Sequence, residues 1–233
     1  MPVSSVRLLR GLAAAVVGSA LGASVLVAAP AQAADDVTIS LLDINDFHGR
    51  IDADTVKFAG TVEQLRADAG EDNTLFLSAG DNIGASLFAS ASQQDEPTID
   101  VLNALDLAVS ALGNHELDRG TDDLTGRVAD RADFDYLAAN VIDTVTGQPL
   151  LPASETFEVG GLDVAVVGAV TEETPTLVSP GAIGTLEFTD PVEAVNETVA
   201  DLEALPDPPD VIVAAYHEGA GAGTPDGATV EEE

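Results

Sequence analysis

The sequence predicts an α/β protein built on a mainly parallel sheet. Apolar runs of strand length recur along the chain, near-continuous rather than alternating, and amphipathic stretches of helical spacing separate them. A continuous apolar run suits a strand covered on both faces, whereas a strand with one wet face alternates. Hydrophobic residues make up 45% of the chain, enough for a substantial core. Aromatics are only 4% and Trp is absent, so that core must be aliphatic.

A leader precedes the first run. Arg7 and Arg10 end a short basic segment, an Ala/Val/Leu/Gly run covers residues 11–29, and Ala31-Gln32-Ala33 has the small-x-small form of a cleavage site. Residues 1–33 are therefore expected to be a signal peptide and 34–233 the folded domain, exported to a secreted or extracytoplasmic location. The alternative is an uncleaved N-terminal anchor, since the apolar run is nearly long enough to cross a bilayer.

Strands are expected at 37–44, 74–78, 108–112, 135–141, 162–170 and 211–216. Helices are expected between them. In 55–69, Phe58, Ala59, Val62 and Leu65 recur on one face. Shorter helices are read at 98–107 and 122–131. In 190–205, Val192, Val195, Val199 and Leu202 form one stripe behind a first-turn Pro191, and Pro206-Asp207-Pro208-Pro209 stops the helix. No internal repeat or interdomain linker is evident. After Tyr216 the chain becomes Gly-rich and acidic, ending Glu231-Glu232-Glu233. That segment is expected to be loose, and the chain to be part of a longer protein.

Formal net charge is -33, from eight Lys+Arg against 41 Asp+Glu. Such a surface disfavours nucleic acid and anionic membranes, which are bound by neutralising phosphates with Lys and Arg. It also repels a small phosphate at long range, and no Lys/Arg cluster offsets that. A metal site would. With no Cys, thiol catalysis, disulfides and Cys-ligated zinc are excluded, leaving oxygen and imidazole ligands.

The three histidines each follow an expected strand: His48 in Asn45-Asp46-Phe47-His48-Gly49, His115 in Gly113-Asn114-His115-Glu116-Leu117-Asp118, and His217 in Tyr216-His217-Glu218-Gly219. The second strand ends in Ser78-Ala79-Gly80-Asp81-Asn82. Ligands of open α/β sheets bind at the carboxyl ends of the strands, so four polar clusters meet at one edge. Asp46 and His48, two apart, face the same side if the segment is extended. Asp81 can bridge two ions with its two oxygens. Asn114 adds a neutral oxygen, and His217 an imidazole from a third direction. Singly, Asp81 or Asn114 would pass for a turn residue. Mixed N/O ligation suits Zn, Mn, Fe or other divalent ions.

In this order, the blocks Asn45-Asp46-Phe47-His48-Gly49, Gly80-Asp81, Gly113-Asn114-His115-Glu116 and Tyr216-His217-Glu218-Gly219 resemble those of the calcineurin-like metallophosphoesterases. Leu117-Asp118 after the third block, Ala138-Ala139-Asn140-Val141 and the run from Gly160-Gly161 resemble the 5'-nucleotidase/2',3'-cyclic phosphodiesterase branch. The resemblance implies a four-layer α-β-β-α catalytic domain, incomplete here at the C-terminus. It implies two divalent metal ions (Zn, Mn or similar), with Asp46 and His48 on the first, Asp81 bridging, and Asn114 and His217 on the second. His115 would bind no metal but face the phosphate, oriented by Asp118. Glu116 and Arg119 are expected to be solvated neighbours. The family's further Gly-His-x-His-type motif has no counterpart after His217, so the chain ending at Glu233 is expected to be a poor catalyst beside a longer parent.

The function read from this is an exported phosphoesterase acting on a small phosphoester, a nucleotide, with no nucleic-acid partner and no membrane partner once the leader is removed. Cyclic nucleotides, nucleotide sugars and sulfur esters remain alternative substrates. The rival class is an exported acidic protein that binds divalent ions on the same fold without turnover. His115 separates the two, because an ion store has no use for a non-ligand histidine at the phosphate position. N-terminal sequencing of exported protein is expected to begin at Ala34 or within a residue or two; an intact Met1 on mature protein would contradict the leader.

Overall fold

A computed structural model describes residues 36–219. The expected leader and the Gly-rich acidic end lie outside the described residues. Strands β1 (Ser40–Ile44), β2 (Thr74–Ser78), β3 (Val109–Ala111) and β4 (Asp135–Leu137) form an all-parallel sheet in the order β1-β2-β3-β4. Helix α1 (Thr55–Ala69), helix α2 (Glu96–Ala104) and a helical stretch at 121–131 make the crossovers. Strand order follows sequence order without reversal, so crossovers of one hand leave every helix on one face. Val62, Ile99, Leu102 and Leu124 accordingly pack with Phe76, Leu112 and Tyr136 in one core.

The other face of this sheet needs its own cover, and a second sheet supplies it. Leu75, Leu77, Val109, Ala111 and Leu137 pack against Val164, Val166 and Ala215. Neighbouring residues of β2 thus enter different cores, Phe76 on the helix side and Leu75 and Leu77 on the sheet side, as the two-residue period of a strand requires. The second sheet has the order β10-β8-β7, with β7 (Ser154–Val159) antiparallel and β10 (Val211–His217) parallel to the central β8 (Leu162–Val170). Its outer face carries Val167 and Ala169, covered by Val195 and Val199 of helix α3 (Pro191–Glu203). Asp190 starts that helix by accepting from the Val192 and Glu193 N–H groups, ahead of Pro191. The layers run helix, sheet, sheet, helix: the four-layer α-β-β-α sandwich.

Several expected elements are corrected. The run 135–141 is not one strand: β4 ends at Leu137, and β5 (Val141–Asp143) joins a separate antiparallel sheet with β6 (Gln148–Pro149) and β9 (Leu186–Phe188), in the order β6-β5-β9. These strands are too short to show a period. Strand β7 went unread because its Ser-Glu-Thr-Phe-Glu-Val sequence alternates and only Val159 is fully buried. The two-residue Gly160-Gly161 turn joins it to β8, both glycines at positive φ (62° and 80°), as a primed hairpin turn demands. Leu65 shares a face with Val62 in the expected helix, yet stays 47% exposed near its end. Among the described residues no helix is long and apolar enough to cross a membrane.

Leu137 is fully buried between the two sheets. Leu137→Ala is expected to lower unfolding free energy by about 2–5 kcal/mol in urea titration, because the rigid sheets on either side cannot close the cavity.

Candidate metal centre

The loop after β1 runs beside the loop after β2 as an extension of their pairing. Ala79 N–H donates to Ile44 O (2.8 Å), Asp46 N–H to Gly80 O (3.0 Å), His48 N–H to Asp81 O (3.0 Å) and Gly49 N–H to Asn82 O (3.0 Å). The segment is not extended, as the two-residue spacing suggested. Asp46, His48 and Asp81 all have positive φ (52°, 47° and 56°). Such conformations cost about 1–3 kcal/mol each and persist only where surrounding contacts impose them. Here the inter-loop hydrogen bonds impose them, and the turns bring the side chains together.

Each imidazole is aimed by its second nitrogen. His48 Nδ1–H donates to Gly84 O and His217 Nδ1–H to Ala79 O, both at 2.9 Å. Both Nε2 atoms then face one oxygen: Asp81 Oδ2 lies 3.7 Å from His48 Nε2 and 3.3 Å from His217 Nε2. Asp46 Oδ1 is 3.5 Å from His48 Nε2. Asp46, His48 and Asp81 each offer a ligand atom within 4.8 Å of the others. Ligands ~2.0–2.2 Å from a tetrahedral ion sit about 3.3–3.6 Å apart, so the donor set fits a divalent cation. Asp81 presents Oδ2 to two imidazoles approaching from different strands while Oδ1 accepts the His115 N–H, so one oxygen and not the expected two is aimed at the cluster.

These acceptors would repel one another with nothing between them. Burial alone would lower the His217 pKa, but its hydrogen bond to Asp81 and that carboxylate's charge push it up to about 9. Burial likewise opposes the Asp81 charge, yet the hydrogen bond and charge of His217 hold its pKa below the ordinary carboxylate value. Asn114 is 7% exposed, and although it begins a helical turn, its side chain makes no capping hydrogen bond there. An Asn in that position ordinarily caps.

His115 stands beside the cluster, its ring edge-on to that of His48 at 5.1 Å. Its Nδ1 is 2.9 Å from Asp118 Oδ2, and its backbone N–H donates to Asp81 Oδ1 at 2.8 Å. The structure thus brings together Asp46, His48, Asp81 and His217, sets the His115–Asp118 pair alongside, and places Asn114 one residue before His115.

Glu116 overturns its reading as a solvated neighbour. It is 1% exposed, and its carboxylate accepts from the N–H groups of Asp81 (2.9 Å), Gly113 (2.8 Å), Asn82 (2.7 Å) and Ile83 (3.3 Å). Burial, then the charge of Asp81, push its pKa up to about 7 against the pull of those N–H groups. Asn82 is fully buried and also unforeseen: its side chain accepts from Ser78 and donates to Ser110, tying β2 to β3.

The comparisons agree with this geometry. Over 216 residues the chain is 32% identical to a 5'-nucleotidase of Vibrio cholerae, covering 89% of this chain and 38% of that protein. It is 34% identical over 196 residues to Endonuclease YhcR of Bacillus subtilis, covering 72% of this chain and 16% of the relative. The chain therefore spans well under half the length of these curated relatives. The solved calcineurin-like phosphoesterase YfkN of Bacillus subtilis superposes with a TM-score of 0.64 at 28% identity, covering 78% of this chain and 63% of that one. The chain belongs to the 5'-nucleotidase branch of the calcineurin-like phosphoesterases. No family model matches it.

For a calcineurin-like phosphoesterase the charge distribution is instructive. Lys57, Arg66, Arg127 and Arg131 are engaged in ion pairs with neighbouring acids. The other two basic residues of the described part, Arg50 and Arg119, follow the His48 and His115 blocks in sequence. Asp81→Ala is expected to strip metal from full-length protein after dialysis, measured by elemental analysis. Equal retention by the variant would assign the metal to the acidic surface instead. Gly113→Ala is expected to do the same with Asp81 intact, because a Cβ there would strike Asp81 Oδ1 and lie 2.7 Å from Glu116 Oε2.

Proposed function

We propose that the protein is an exported, metal-dependent phosphoesterase that releases phosphate from nucleotides, with Asp46, His48, Asp81, Asn114 and His217 holding two divalent ions. Divalent ions in such a site supply Lewis-acid polarisation of the phosphoryl group and acidify water toward neutral pH. The observation that carries the proposal is the His115–Asp118 pair at 2.9 Å beside the ligand cluster. Asp118 accepts from Nδ1–H and fixes the ring, leaving Nε2 free to meet the departing oxygen, to which the doubly protonated ring would donate. The four loops also explain how an anion reaches a chain of net charge -33: the cations concentrate positive charge at one edge of an otherwise repelling surface.

The YhcR relative raises a second reading, cleavage of a nucleic acid. The charge weighs against it, since a polyanion would contact acidic surface well beyond the site.

The test is phosphate release by full-length, Mn-supplemented protein from nucleoside monophosphates, with cyclic nucleotides, nucleotide sugars and single-stranded DNA as competitors. Nucleoside monophosphates are expected to turn over fastest. His115→Ala is expected to lower kcat by about 10²–10⁴-fold while metal content stays unchanged. Faster cleavage of DNA would favour the nuclease reading. Inactivity on every phosphoester would favour an ion-binding protein.

A further inference from the structure

Four loops build the proposed site, and two of them share no strand pairing at the level of the ligands. The loop 79–83 carries Asp81; the loop 113–118 carries Asn114 and His115. Each gives a carboxylate to the other's backbone. Glu116 accepts the N–H groups of Asp81, Asn82 and Ile83 across the gap, together with Gly113 of its own loop. Asp81 Oδ1 returns the contact by accepting the His115 N–H. A carboxylate offers about four lone-pair sites, so Glu116 is saturated by four donors, and every one of them is backbone.

The consequence falls on Asp81. With its N–H held by Glu116 and Oδ1 held by His115, its remaining oxygen, Oδ2, has one place to be, and that place is between His48 and His217. We infer that Glu116 is a positioning residue whose buried carboxylate clasps the Asp81 loop to the Asn114–His115 loop and thereby sets the spacing of the two cation positions. The inference rests on the metal reading proposed above. Burying a carboxylate is costly unless hydrogen bonds satisfy it, and four backbone donors are an extensive means of doing so for a residue with no role.

Two variants separate positioning from charge and from bulk. E116Q keeps the shape but turns an amide NH2 toward backbone donors, so one pair of contacts is lost whichever way it is oriented. E116D keeps the charge but withdraws it by about 1.5 Å, one carbon–carbon bond, out of reach of the far loop. Val195→Ala, on the sheet-facing side of helix α3 and in a cluster that contains none of the proposed ligands, controls for general destabilisation. Mn binding to full-length protein is measured by titration calorimetry well below the melting point of each variant. The native protein is expected to bind two equivalents. E116Q and E116D are each expected to lose about 10–100-fold in affinity, the scale seen when the outer partners of metal ligands are removed. The Val195→Ala control is expected to melt lower and bind Mn normally.

Full affinity in E116D with loss in E116Q would make Glu116 a charge and nothing more. Full affinity in both would make it a space-filler, and either result overturns the inference while leaving the metal reading intact. An equal loss in Val195→Ala would overturn it as a stability effect. No Mn binding by the native protein would remove the metal reading itself. Should the Glu116 variants not fold, hydrogen exchange in the native protein decides: slow exchange is expected for the Asp81, Asn82 and Gly113 amides, and solvent-rate exchange there would overturn the clasp.

Discussion

The structure turns on the convergence of acceptors at Asp81 Oδ2. Two imidazole nitrogens, each with its other nitrogen committed to a backbone carbonyl, point at a carboxylate oxygen that is itself buried. With both imidazoles neutral and their Nδ1–H groups committed, nothing in that set donates. Like partial charges at such distances in a low-dielectric interior are tolerated only if a cation lies among them, a proton or a metal. Much of the surrounding fold serves to hold that arrangement in place. Parallel strands bring four loops to one edge, inter-loop hydrogen bonds force three residues into left-handed backbone, and Glu116 clasps the two loops that meet at Asp81.

The two-sheet design follows from the same requirement. One sheet with strands in sequence order places His48, Asp81 and His115 on neighbouring loops, but gives them no partner from above. β10 belongs to the other sheet, parallel to β8, and ends at the same edge with His217 as its last residue. Stacking the sheets over a dry aliphatic core thus does more than bury surface. It supplies the second imidazole. The acidity of the chain fits the proposed role: with few cationic side chains, ions held at this edge would supply most of the positive charge a phosphate needs.

Parts of this were legible in the sequence because they depend on local periodicity. Strand 74–78 and helix 55–69 are found at the expected bounds, since the strand's apolar run and the helix's Phe58, Ala59 and Val62 face are closed by turn residues. The ligand candidates were legible as well, because a chain with three histidines, all at strand ends, leaves little choice of where imidazole chemistry can occur. What remained hidden depends on contacts distant in sequence. Residues 135–141 leave the first sheet after Leu137, a choice made by tertiary pairing with β9 rather than by local pattern. Glu116 looked like any acid in a chain with 41 of them, because its partners are backbone N–H groups and no side-chain type announces them. The left-handed turns at Asp46 and His48 were equally silent, since neither residue is glycine.

The most direct measurement of the central claim is anomalous diffraction at the manganese edge from crystals of the full-length protein grown with Mn. Two peaks about 3.5–4 Å apart are predicted, with the Asp81 carboxylate between them. Peaks confined to surface carboxylates, or none near Asp81, would contradict the account.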